Sequence, residues 1–116
     1  MKNKYYLVRT ARDGYLLAKG GPFYQDEIEG LALVRADYVR GALSFKGDWS
    51  IIDIHTGLFV MKHYSKKKLL EAWTKKYSED FKELIERTRS KDYYKRTCHE
   101  TLIEKENWRA SGYEVE

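Results

Sequence analysis

The sequence predicts an α+β fold in which an antiparallel sheet, made of an N-terminal hairpin plus a three-stranded meander, packs with about three helices. Five strand-favouring runs bounded by turn signals lie within the first 63 positions, on either side of one predicted helix. From position 65 the apolar residues change to spacings of three and four, which is typical of helices. The 116 residues contain no linker, repeat or low-complexity stretch, so we expect a single domain over 1–116.

The first hairpin is predicted by two strand-like runs, 4–10 and 15–18, on either side of Arg12-Asp13-Gly14. An Asp-Gly pair readily adopts the positive φ angles of a tight hairpin turn. The two runs should therefore pair antiparallel.

A helix is predicted from about Tyr24 to Arg40. Gly20-Gly21-Pro22 is expected to break the chain before it. Acidic residues crowd the start of the segment, where the helix dipole favours negative charge. Leu33 and Val34 depart from the apolar stripe of this helix.

The meander is predicted over 42–46, 49–54 and 58–63, with turns at Lys46-Gly47-Asp48 and His55-Thr56-Gly57. Both alternating sets of its last two strands are apolar, so these strands need cover on both faces. Cover by a second copy of the chain would make the protein a homodimer.

Ser65 is the predicted N-cap of the clearest helix in the sequence. Its stripe consists of apolar residues at helical spacing: Leu69, Leu70, Trp73, Tyr77, Phe81, Leu84 and Ile85. A further helix is expected from about Lys91 to Trp108, and the residues after it are expected to be frayed or extended. The residues expected on one side of this helix are Tyr94, Thr97, Cys98, Thr101, Leu102 and Trp108.

Positive charge is concentrated in this helical half. The net charge is +4, and positions 66–97 hold eleven basic against six acidic residues. Three consecutive lysines occupy the first helical turn, where the dipole disfavours cations. One interpretation is an anionic partner, and the other is a solubilising face balanced by pairs such as Glu71 with Lys75. The first interpretation predicts a partner-binding set with two aromatic anchors: Lys66, Lys67, Lys68, Lys75, Lys76, Trp49 and Phe59.

Several kinds of chemistry have no motif in this sequence. Cys98 is the single cysteine, which excludes an intrachain disulfide and multi-cysteine zinc sites. Phosphate-binding and dinucleotide-binding loops are missing, so we expect no cofactor. No His-x3-His or Cys-x2-Cys spacing is present, so we expect no metal. Asp53, His55 and His63 are weak candidates for a small nuclease or toxin, because Asp-x-His-Thr-Gly also suits a polar turn. We therefore expect no enzymatic activity.

The N-terminus lacks a signal-peptide pattern, and no apolar run is long enough to cross a bilayer. These features predict a cytoplasmic protein without a membrane partner.

The stretch from Trp49 to Leu58 has the form W-x-I-x-D-x-x-T-G-L and leads into the Lys-rich helix that starts at Ser65. This arrangement resembles that of small phage and mobile-element accessory proteins. The resemblance implies a protein that binds and modulates a host protein or ribonucleoprotein, as anti-CRISPR and other anti-defence inhibitors do. The alternative is a protein that binds nucleic acid directly through positions 66–96.

Overall fold

The computed structural model describes residues 4–10, 14–25, 28–36 and 48–116 and confirms the predicted α+β class. The described elements are, in chain order, β1 Lys4–Thr10, β2 Gly14–Gln25, β3 Ile28–Ala36, β4 Trp49–Asp53, β5 Phe59–His63, α1 Lys66–Lys76, α2 Glu79–Ser90, α3 Asp92–Ala110 and β6 Glu114–Val115. The six strands form one sheet in the order β5-β4-β3-β2-β1-β6. Its pairs are antiparallel except for β1 with β6, which run parallel.

The N-terminal hairpin is confirmed. Thr10 pairs with Gly14 and Val8 with Leu16. Gly14 has a φ of 77°, the left-handed conformation that the Asp-Gly signal predicts at this turn.

The helix expected from Tyr24 to Arg40 is wrong wherever the structure describes that segment. Positions 28–36 form strand β3, which pairs with β2 on one side and β4 on the other. Leu31, Ala32 and Val34 are buried on both faces of this central strand. A strand covered on both sides is apolar at successive positions, and this is why Leu33 and Val34 did not fit a helical stripe.

The chain break expected at Gly20-Gly21-Pro22 is also wrong, because these residues continue β2 and pair with β3. Gly20 lies opposite Val34, and a Cβ atom at Gly20 would overlap the carbonyl oxygen of Leu33. Here glycine permits a close approach of two backbones within the sheet.

The two predicted strands around His55-Thr56-Gly57 are confirmed as β4 and β5. The predicted first meander strand, 42–46, lies outside the described residues. The turn between β4 and β5 reaches across to β1, where the Arg9 amide donates to the Gly57 carbonyl over 2.8 Å. The sheet therefore curves so that strands far apart in its order come together.

The two faces of the sheet carry separate cores. The face turned away from the helices buries Tyr6, Val8, Leu16, Ala18, Ala32, Val34 and Ile52. The opposite face packs against Leu69 and Trp73 of α1 and Ile85 of α2, with Ile51 between them. Because Ile51 and Ile52 are both fully buried within one chain, β4 does not require a second copy to cover it.

The apolar stripe that predicted one helix after Ser65 belongs to two helices. Ser65 is confirmed as the N-cap of α1, since its side chain accepts from the Lys68 amide. Ser78 caps α2 in the same way by accepting from the Phe81 amide, and Tyr77 between the helices is extended. Ser78 thus marks the start of a second helix, and the continuous apolar stripe of the sequence is divided between α1 and α2.

The predicted C-terminal helix is confirmed as α3, and part of the tail joins the sheet as β6. No helix among the described residues is long and apolar enough to span a membrane.

Candidate interaction surface

The lysines predicted to bind a partner lie on α1. All five of them are exposed. At about 100° per residue, Lys67, Lys68 and Lys75 point away from the buried Leu69 and Trp73, whereas Lys66 and Lys76 lie on the same side as Leu69 and Trp73, at the two ends of the helix. We call these five lysines, together with Trp49 and Tyr64, the basic patch.

Two lysines of the basic patch are held over aromatic rings. The Lys66 Nζ atom lies 5.1 Å from the ring centroid of Trp49, and the Lys68 Nζ atom lies 5.7 Å from that of Tyr64. Lys68 also donates to the Tyr64 hydroxyl over 3.3 Å. Such cation–π contacts orient an ammonium group while leaving its charge uncompensated.

Trp49 contacts a second cation, because the Arg35 guanidinium carbon lies 5.5 Å from its ring centroid. Arg35 is exposed on β3, directly opposite Trp49 in the sheet. Arg35 therefore adds a positive charge beside Lys66. Arg35 is absent from the binding set predicted from the sequence, because the sequence pattern predicts a helix at this position.

A shallow depression of about 430 Å³ lies on the outer side of α1. It is lined by Lys67, Leu70, Glu71, Thr74 and Lys75. Leu70 in this lining is half-buried. Lys67 and Lys75 lie about two helical turns apart, one before and one after Leu70. A lining that combines two lysines with an apolar side chain fits a protein surface better than a bare phosphate backbone.

The charges of the basic patch have no carboxylate partner within the described residues. No ion pair involves any of its five lysines, and Glu71 does not pair with Lys75. Helical ion pairs form elsewhere, such as Arg96 with Glu100 at 2.9 Å. The alternative explanation, a face balanced by its own i to i+4 pairs, therefore lacks its expected contacts on α1.

Of the two predicted aromatic anchors, only Trp49 lies in the basic patch. It is half-buried between Lys66, Arg35 and the core on the helix side. Phe59 lies at the other end of the β4–β5 hairpin, packs against the opposite core and lines a different cleft beside α2. The structure thus separates the two residues.

Tyr64 is the aromatic residue that sequence reasoning missed. It is 68% exposed and its ring centroid lies 4.4 Å from that of His63. The available signal was its position directly before the N-cap Ser65 and four residues before Lys68, one helical turn away.

Asp53, His55 and His63, the three weak candidates for catalysis, make hydrogen bonds within the turns that contain them. Asp53 accepts from the His55 amide and the Thr56 hydroxyl, and its Oδ1 atom lies 3.1 Å from Nε of Arg89. His63 Nδ1 accepts from the Ser65 amide. The Asp-x-His-Thr-Gly stretch therefore forms a hydrogen-bonded polar turn, anchored to α2 by a partly buried ion pair.

A second polar cluster joins α3 to the sheet. The Tyr15 hydroxyl accepts from Arg9 over 3.0 Å and lies 2.9 Å from the Thr101 hydroxyl. Arg9 also pairs with Glu100, and this contact with the help of Arg96 lowers the pKa of the Glu100 carboxyl.

Cys98 lies on the same helix, half-buried, and burial raises the pKa of its thiol. A raised pKa disfavours the nucleophilic thiolate. No group of three or more His, Cys, Asp or Glu side chains among the described residues is arranged to hold a metal ion.

Comparison with known proteins found no matching family model, no similar curated protein and no similar solved structure.

Proposed function

We propose that this chain is a non-enzymatic interaction protein that docks the basic patch on an acidic surface of a host protein or nucleoprotein. The observation that carries the proposal is the set of five exposed α1 lysines, which have no carboxylate partner in the described part of the chain. Three of them lie at the helix N-terminus, where the dipole opposes them by about 0.3–1 kcal/mol each. An acidic partner would relieve that repulsion.

The chemistry of the depression favours protein over nucleic acid as the partner. Leu70 and Glu71 lie between Lys67 and Lys75. A phosphate backbone has no apolar group to offer Leu70, whereas an acidic protein surface offers both carboxylates for the lysines and apolar groups for Leu70. The exposed ring of Tyr64 adds the kind of aromatic contact that contributes most at protein interfaces.

The accessory role in defence inhibition is proposed from the W-x-I-x-D-x-x-T-G-L resemblance, and a cytoplasmic site of action is proposed from the lone Cys98. A homodimer also stays a prediction, which light scattering at high concentration tests.

The proposal is tested by affinity capture from a bacterial lysate, with and without nuclease, comparing two double charge reversals. Lys67→Glu with Lys75→Glu removes both lysines from the lining of the depression. Arg87→Glu with Lys91→Glu makes the same change of charge at exposed residues of the basic segment away from α1. We expect an acidic protein to be captured after nuclease treatment by the wild type and the second variant, but not by the first.

Binding to nucleic acid predicts a different pattern. Nuclease would abolish capture, both variants would weaken binding, and affinity for duplex DNA would fall with salt at a slope of about −0.9 per phosphate contact. Equal capture by the wild type and the Lys67/Lys75 variant, with both folded by circular dichroism, would remove the basic patch as the binding surface.

A further inference from the structure

Strand β5 lies at an edge of the sheet as the structure describes it, because its pairing partner is β4 alone. An edge strand exposes unpaired backbone N–H and C=O groups that a further strand can use. Natural sheets protect such edges or use them to bind extended peptides.

A cleft of about 450 Å³ lies between the start of β5 and helix α2. Phe59 and Val60 line it on the strand side, and Phe81, Leu84 and Ile85 line it on the helix side. Leu84 is 50% exposed although it is a large apolar side chain. An apolar cleft between an edge strand and a helix can accept alternate side chains of an added strand.

Asp53 also lines the cleft, but its carboxylate is paired with Arg89, so the charge on the strand side of the cleft is that of Lys62. Lys62 is exposed, and its Nζ atom lies 5.5 Å from the ring centroid of Phe59. No carboxylate among the described residues pairs with it. Lys66 follows in the first turn of α1, so the C-terminal end of β5 is positive and complements an acidic ligand.

We infer that the edge of β5 together with the α2 cleft binds an extended peptide with alternating apolar residues and acidic residues near its N-terminus. Antiparallel addition, the commoner arrangement, would place the peptide N-terminus beside Lys62. A second copy of β5 fits less well, since two-fold pairing would bring Lys62 of both copies into one interface. This site shares Lys66 with the basic patch, but its cleft and strand edge involve other residues, and it does not depend on the function of the basic patch.

The test is selection of a displayed library of random peptides of about ten residues, a usual strand length, on the full chain. Two matched leucine variants serve as readouts. Leu84→Glu places a charge in the cleft, and Leu102→Glu makes the same change at a residue of α3 that is 60% exposed. We expect selected peptides to alternate apolar residues and to carry acidic residues at the N-terminal end. Their affinity should fall at least about tenfold for Leu84→Glu and stay within about twofold for Leu102→Glu.

Two further measurements test the charge of Lys62 and the pairing of the peptide backbone with β5. Lys62→Glu should weaken the selected peptides at least about threefold, and N-methylation of alternate peptide amides should abolish binding if strand pairing carries it. The Lys67→Glu/Lys75→Glu variant should bind these peptides as the wild type does, so loss of the basic-patch function and loss of this site are distinguishable.

Three results would overturn the inference: no enrichment over the unselected library, enriched peptides that bind Leu84→Glu and the wild type equally, or self-association of the chain that Leu84→Glu abolishes. The last would assign the edge to a second copy.

Discussion

Helices α1 and α3 pack on the same side of the sheet but contribute opposite kinds of residue to it. Helix α1 buries Leu69 and Trp73 and exposes lysines. Helix α3 buries Thr97, Thr101 and Lys105 beside Trp108 and exposes Leu102 and Ile103. One helix follows the usual amphipathic pattern, and the other reverses much of it.

The difference arises from the sheet surface that each helix meets. Beneath α1 are the apolar side chains of Ile51 and Leu31. Beneath α3 are the Tyr15 hydroxyl, which bonds the Thr101 hydroxyl, and two carbonyl oxygens. The Thr56 carbonyl accepts from Thr101, and the Ile54 carbonyl accepts from Lys105. A buried polar surface needs polar partners, so α3 supplies them at the positions that face inward.

The largest effect that this comparison predicts is that of Trp73→Ala in α1. The Trp73 ring contacts Phe23, Tyr77 and Phe81 at centroid distances of 5.3 to 5.5 Å, and its Nε1 atom donates to Gln25 over 2.7 Å. Truncation should lower the free energy of unfolding by about 3–5 kcal/mol, measured by urea unfolding. A loss below about 1 kcal/mol would mean that the α1 face is not a packed core.

On α3, Thr101→Val is predicted to be more costly than truncation of the larger Leu102. Valine keeps the shape of Thr101 but removes the buried hydroxyl that bonds the Tyr15 hydroxyl and the Thr56 carbonyl, which should cost about 1–3 kcal/mol. Leu102→Ala should change stability by at most about 0.5 kcal/mol, because Leu102 is exposed. If the two effects are reversed in urea unfolding, α3 packs through its apolar side instead.

For α1, the dipole argument predicts a difference between two single charge reversals. Lys67 lies in the first turn and Lys75 in the last, and each is four residues from Glu71. Both variants therefore place a new glutamate at the same spacing from Glu71, so the repulsion by Glu71 is similar in the two. The helix dipole favours the new glutamate only at the N-terminal end, so Lys67→Glu should be more stable than Lys75→Glu by about 1 kcal/mol at low salt. The difference should shrink in 1 M salt, and equal stabilities at low salt would contradict the electrostatic argument.

The smallest expected change concerns the pH dependence contributed by Lys105 in α3. Burial, and secondarily the charge of Arg109, lower the pKa of Lys105 below its ordinary value of 10.5. The unfolded chain therefore binds more protons than the folded chain between the lowered pKa and 10.5, so stability gains from this lysine as the pH rises through that window. The stability of the wild type relative to Lys105→Met should rise over the same window, and a flat difference would contradict a desolvated Lys105.

The sequence was most informative where local signals and burial agree. The pairing of β1 with β2, the pairing of β4 with β5 and the Ser65 cap are confirmed because each depends on a few neighbouring residues. The helix predicted at Tyr24–Arg40 was wrong because β3 is a central strand that is buried on both faces. Such a strand has apolar residues at successive positions, so the alternation of apolar and polar residues that indicates a strand is missing.

The interaction surface was predicted in part. The five lysines follow from composition and the position of Ser65, but the pairing of Lys66 with Trp49 and of Lys68 with Tyr64 requires knowledge of how α1 leaves the sheet. Placement of Phe59 away from Trp49 depends on the β4–β5 hairpin, whose two ends reach different parts of the molecule.

The sequence by itself determined the α+β class, the first hairpin, the cap of α1 and the excess of positive charge on that helix, since these depend on residue type and short spacings. The tertiary structure alone decided that β3 is a central strand, that α3 faces inward with its threonines and that β5, among the described strands, lies at an edge beside α2. The physical reason is that burial and edge position depend on what each element meets across the fold, which no local pattern encodes.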